Sequence, residues 1–272
     1  MAEEKDQLKE QKADEQPNSA DENFGRKVGG FINQYLEFSN RISKWIPKEI
    51  FLNRFKIPKI SFPKLDFPVI NYNKIEKIAY ENSKQGWTLT AEIGIGQYLN
   101  DELLHMSPKE IDNYFFKYYA KNDWERFKST KKEILAKVDP RWNEVLLDCF
   151  EAFEQGKYRM TIPTLFTIIE GETAAVYKSN EVGTSLARYM YTQVTSDHHK
   201  LTKIAIYSLS NFMRKQLFIY HEFTKYRKPI INRNWVLHGR DDPKHWKKVD
   251  AVRLFNVLST IQLVKDYKDE IY

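Results

Sequence analysis

The stretch INRNWVLHGRDD, from Ile231 to Asp242, sets Arg233, Asn234 and His238 around bulky apolar side chains, with a glycine and an acidic turn behind them. These are residue types that can act on a phosphodiester. An imidazole moves protons near neutral pH, and a guanidinium holds phosphate oxygens. The same residues also fit a plain helix end, so the spacing has to be weighed.

Six histidines and twelve arginines in the chain make a bare Arg-x4-His spacing a coincidence about a quarter of the time, and an Asn directly after the Arg lowers that to roughly a few per cent. Arg240 and His245 share the spacing, but Pro243 between them argues against a helical scaffold. Asn232 has the chemistry of a helix N-cap and Gly239 that of a helix end. Trp235 and Leu237 are expected to anchor the segment. Positions five apart on an ideal helix differ by about 140°. Arg233 and His238 therefore converge only if the helix ends or bends at His238, or if the arginine reaches round.

The elements that must position these groups are helical. Aromatics are abundant, with 17 Phe, 16 Tyr and 6 Trp, while the 10 glycines are too few for a turn-rich all-β fold. The expected class is all-α: a helical bundle preceded by an amphipathic helix and an extended, proline-containing arm. Residues 1–22 are charged and are expected to be a disordered tail. In residues 23–72, Phe31, Tyr35, Phe38, Ile42 and Trp45 form one helical stripe, and Pro58, Pro63 and Pro68 then forbid helix. Residues 73–138 are expected to be a helical lead-in packed on the bundle, with a capping box at Ser107–Glu110 opening IDNYFFKYYAKN. Residues 139–272 form the main helical domain. Its first helix starts at Asp139 and Pro140 and has an apolar face of Trp142, Val145, Leu146, Cys149, Phe150 and Phe153. LTKIAIYSLSNFMRKQLFIYHEF is read as one helix and TKYRKPII as a loop. The last helix is expected to bury Val249, Val252, Leu254, Leu258 and Ile261.

The net charge of +6 permits an anionic partner without requiring one. A single cysteine, Cys149, excludes a disulfide framework or a cysteine-ligated zinc within one chain. With no run of about 18 apolar residues, no membrane span is expected. The N-terminus lacks a secretory signal pattern, and the expected compartment is the cytoplasm.

RNWVLH, just before a final apolar helix of an all-α chain, resembles the Arg-x4-6-His motif of HEPN-superfamily ribonucleases. FEQGKYRMTIPTLFTIIEGETAAV resembles helical segments that precede that motif in HEPN proteins of phage-defence and toxin systems. The resemblance covers roughly residues 140–272. It implies a metal-independent RNA endonuclease acting as an abortive-infection or toxin effector. In that chemistry His238 takes the proton from a ribose 2′-OH, and the oxyanion attacks the adjacent phosphorus and expels the 5′-oxygen. Arg233 holds the non-bridging oxygens, and Asn234 positions RNA or orients the imidazole. No cofactor is called for, because the nucleophile belongs to the substrate. One histidine per chain for a reaction that wants a base and an acid points to a homodimer with a composite site.

Glu170 is the expected accessory. It lies in an otherwise apolar helix face, where an arginine partner such as Arg233 would offset its burial; the alternative is a part-exposed glutamate at a helix edge. Glu172 has the weaker claim. His198 and His199 read as a solvated loop or cap, and His105, His221 and His245 have no evident partners. Arg240, Lys244, Lys247 and Lys248 are candidates for substrate phosphates, against a solvated basic face. An inhibitor or activator is expected, and the arm before residue 73 is one candidate restraint. Two other functions fit the same residues: a non-catalytic HEPN-like module that binds RNA or nucleotide, and a helical interaction protein.

Overall fold

The computed structural model describes residues 72–192 and 200–269, and the amphipathic stripe, the proline arm, His198 and His199 lie outside them. The chain divides into two compact units, Met1–Glu76 and Lys77–Tyr272, and apart from the first residues of α1 everything below concerns the second. Among the described residues the regular structure is helical, with no strand. In chain order the helices are α1 (Tyr72–Lys84), α2 (Gly94–Tyr98), α3 (Pro108–Lys137), α4 (Asn143–Glu154), α5 (Tyr158–Val176), α6 (Gly183–Thr192), α7 (Lys200–Phe212), α8 (Arg233–Leu237) and α9 (Lys248–Asp269).

The helix starts follow local chemistry. At α3 the Glu110 carboxylate accepts from the backbone N–H of Ser107, at 2.8 Å, and from its hydroxyl, at 2.7 Å, with Pro108 in the first turn. Asp139 caps a short 3-10 turn, Pro140–Trp142, that feeds α4. α3 is broken where its backbone leaves helical angles at Lys121–Trp124. The helical stretch read from sequence, Ile111–Asn122, stops at this break.

α9 is the axis of the unit. Every residue from Ala251 to Val264 is buried, with α5, α3 and α7 packed around it. The structure buries its whole circumference, and Val249 alone of the five expected core residues is only half-buried. A helix buried all round must satisfy its polar side chains internally. Asn256 does so most fully. Its Oδ1 accepts from the Thr88 amide, at 2.9 Å, and the Thr88 hydroxyl, at 2.8 Å. Its Nδ2 donates to Thr88 O, at 3.1 Å, and to the Tyr119 hydroxyl, at 3.0 Å. Arg253 binds Asp250 and Asp112, and Ser259 donates to Glu133 at 3.0 Å.

Phe150 stacks on Phe255 at 4.3 Å, and Phe127 and Phe153 close the same aromatic core. Cys149 is buried among these helices, and burial pushes its thiol up to about 11, so it is no nucleophile. Val145, expected on the apolar face of α4, is exposed instead. Gly171 on α5 permits close packing: an added Cβ there would lie 2.8 Å from the Trp142 ring.

Asn256→Ala would strand the buried Thr88 and Tyr119 groups, so the expected loss is about 3 kcal/mol at an unchanged denaturant slope, from roughly 1–3 kcal/mol per orphaned group. Urea unfolding measures it, and a loss below about 1 kcal/mol contradicts the role given to Asn256.

Candidate active site

α8 has only five residues and cannot persist unaided. Asn232 holds it at both its faces. The side-chain oxygen accepts from the amides of Asn234, at 3.1 Å, and Trp235, at 3.3 Å, as an N-cap. The side-chain nitrogen donates to Gln216 O, at 2.9 Å, and Ile219 O, at 3.0 Å. Those carbonyls belong to the end of a π turn, Met213–Leu217, and the residues that leave it. The long helix expected through Phe223 therefore stops. α7 ends at Phe212, the π turn closes with the Phe218 amide on Met213 O, and no helix resumes before α8.

Trp235 and Val236 are buried and seat α8, while Leu237, expected as an anchor, is exposed. The reason is angular: residues two apart on a helix project about 160° from one another. The Trp235 indole N–H donates to His221 O at 2.9 Å. His238 is the C-cap, at φ −90° and ψ 7°, and Gly239 follows at φ +64°, the left-handed geometry that favours glycine at a helix end. The turn beyond is locked by Asp241. Its carboxylate takes both Arg227 Nε, at 2.5 Å, and Arg227 Nη2, at 3.0 Å, and also the Trp246 indole, at 2.9 Å.

Glu170 and Arg233 form an ion pair, Nη2 to Oε2, at 2.8 Å, with side chains 15% and 27% exposed. Glu170 Oε1 accepts from the Gly183 amide at 2.6 Å, so one carboxylate joins α5, the start of α6 and α8. Arg233 Nη1 donates to Asn234 Oδ1 at 3.2 Å, and Nε is buried without a partner. The guanidinium is thus held from the protein side, on a side chain that is only partly buried. His238 is exposed, its ring edge-on to Phe223 at 5.9 Å. No hydrogen bond joins Arg233 to His238 among the described residues. They stand at the two ends of α8.

Glu172 is the more buried acid, at 1% exposure. It accepts from the Asp139 amide, at 3.1 Å, and from Gln262, at 3.2 Å, and so ties α5 to the start of α4 and to α9. The basic residues after the motif separate. Arg240 stands over the Phe223 ring at 5.5 Å, beside His238. Lys244 is paired with Asp242 at 2.7 Å, and Lys247 is exposed. Lys248 lies 4.3 Å from the Trp124 ring centre and 4.9 Å from that of Phe153, and burial lowers its pKa. It is turned into the aromatic core at the α3 break.

Sequence reasoning missed the rings around α8. His221 stacks on Trp235 at 5.5 Å, and its Nε2 lies 2.7 Å from Tyr226 O. The signal was present as FIYHEFTKYRK, dense in aromatics and cations, but half of it was assigned to a helix. Among the described residues no group of three or more His, Cys, Asp or Glu side chains is placed to hold a metal ion. No protein-family model, curated protein or solved structure matches this chain.

A double-mutant cycle on Glu170→Ala and Arg233→Ala measures the pair. The expected coupling is about 1–2 kcal/mol, since the pair is charge-assisted and only partly solvated. Additive losses would show that the two side chains do not stabilise one another.

Proposed function

We propose that the chain is a HEPN-type, metal-independent RNA endonuclease acting as a phage-defence or toxin effector. The observation that carries the reading is the arrangement around α8. A guanidinium is braced by a carboxylate at one end of the helix, and an exposed imidazole caps the other. Arg233 offers its solvent side to the non-bridging oxygens of a phosphodiester and stabilises charge that builds there. Glu170 and Asn234 position it. His238 takes the 2′-OH proton. The 2′-oxygen forms a bond to phosphorus, the bond from phosphorus to the 5′-oxygen breaks, and the leaving oxygen gains a proton. A second protomer's motif supplies the acid, which makes the working unit a homodimer with a composite site. DNA lacks the attacking hydroxyl and is spared.

Purified protein incubated with RNA in EDTA is expected to leave 2′,3′-cyclic phosphate ends. His238→Ala and Arg233→Ala are each expected to slow cleavage by about 10²- to 10⁴-fold. Cleavage that persists in His238→Ala overturns the reading, as does RNA left intact by the wild-type protein at every concentration tried. Sedimentation is expected to find a dimer, and a monomer that cleaves at full rate removes the composite site.

A further inference from the structure

The loop between the π turn and α8 carries Tyr220, Phe223 and Tyr226, which are 74%, 42% and 79% exposed. Three large aromatic side chains within seven residues are too close together to be scattered surface hydrophobes. The ring contacts of Phe223 and Tyr226 lead to the candidate catalytic imidazole. Tyr226 meets His221 at 5.7 Å, His221 meets Trp235 at 5.5 Å, Trp235 meets Phe223 at 6.1 Å and Phe223 meets His238 at 5.9 Å. The charge beside the rings is mostly positive. From Tyr220 to Arg240 the chain has Lys225, Arg227, Lys228, Arg233 and Arg240, with Glu222 the one acid. Arg227, Arg233 and Lys225 face Asp241, Glu170 and Glu222. Arg240 and Lys228 have no acidic partner among the described residues. Burial without one lowers the Lys228 pKa.

We infer that this loop is a stacking platform for the unpaired bases of single-stranded RNA, seating the nucleotides that flank the linkage presented to Arg233 and His238. The inference rests on the nuclease reading and adds the substrate's form to it. Exposed rings interleaved with cations suit a strand whose base faces are free, because each base offers a π-face and each linkage a charge. A duplex hides those faces within its own stack, and its deep, narrow groove resists side chains.

The test is equilibrium binding of a fluorescent, unstructured 12-nucleotide RNA to the full chain carrying His238→Ala, so that cleavage does not intervene. A blunt RNA duplex of the same length is the second probe. Tyr220→Ala and Tyr226→Ala are each expected to weaken single-strand binding about fivefold to tenfold, the low end of what one stacked base contributes. The double alanine variant is expected to weaken it by at least about 30-fold, and the duplex to bind His238→Ala at least about tenfold more weakly than the single strand. Tyr220→Phe with Tyr226→Phe keeps both rings and is expected to stay within about twofold. Both side chains are exposed, so thermal unfolding is expected to match the parent; where the double variant does not fold, the single variants decide. Alanine variants that bind like the parent, or a duplex that binds as tightly as the strand, overturn the platform. The two readings fail separately. Ring-dependent binding with no cleavage by the wild-type protein sinks the nuclease alone, whereas cleavage indifferent to both tyrosines sinks the platform alone.

Discussion

The side chain of Asn232 is the constraint on which the candidate site depends. Four backbone groups meet it, two amides at the start of α8 and two carbonyls at the end of the π turn. It is buried, so the chain has no solvent to fall back on if these bonds are lost. A single turn of helix is normally too short to survive, because nucleation costs more than one turn of hydrogen bonds returns. Here the cap, the buried Trp235 and the Gly239 turn together replace length. The consequence is positional: Arg233 and His238 stand at the two ends of a helix whose every boundary is specified.

Glu170 extends that logic from backbone to charge. A carboxylate on an apolar helix is costly unless it is paired. Its two oxygens are used by different elements, Gly183 at the start of α6 and Arg233 on α8. Arginine suits this place because its planar fork can be held on one edge and remain available on another. The frame behind it is α9, whose polar side chains are bound to Thr88, Tyr119, Glu133 and Glu172 rather than to water. A frame so fully packed cannot shift without exposing several polar groups at once, and that keeps α5 and α8 in register.

The helical class and most helix starts were legible in the residues. Ser107 with Glu110, Asp139 with Pro140, and Asn232 with Gly239 are local signals, decided within two to eight residues, and each works in the structure as its chemistry implies. The break in α3 at Lys121–Trp124 was not read from the sequence, where no proline or glycine marks it. Nor was the end of α7. The stretch from Leu201 to Phe223 carries no proline or glycine, and a π turn there is stabilised by what Asn232 binds from farther along the chain. Lys248 likewise reads as one more cation in a basic run, and only the tertiary placement of Trp124 and Phe153 shows that it lies against aromatic rings.

The sequence by itself determined that the described chain is helical, where several of its helices begin, and which arginine, asparagine and histidine share a short capped segment. Those properties follow from periodicity, capping and proline geometry, which act over a turn or two. Tertiary structure alone decided that the last helix is an axis buried on all sides and that a run of aromatic rings ends at His238. Each joins residues far apart in the chain, and no local preference encodes a contact whose geometry is set by how whole helices pack.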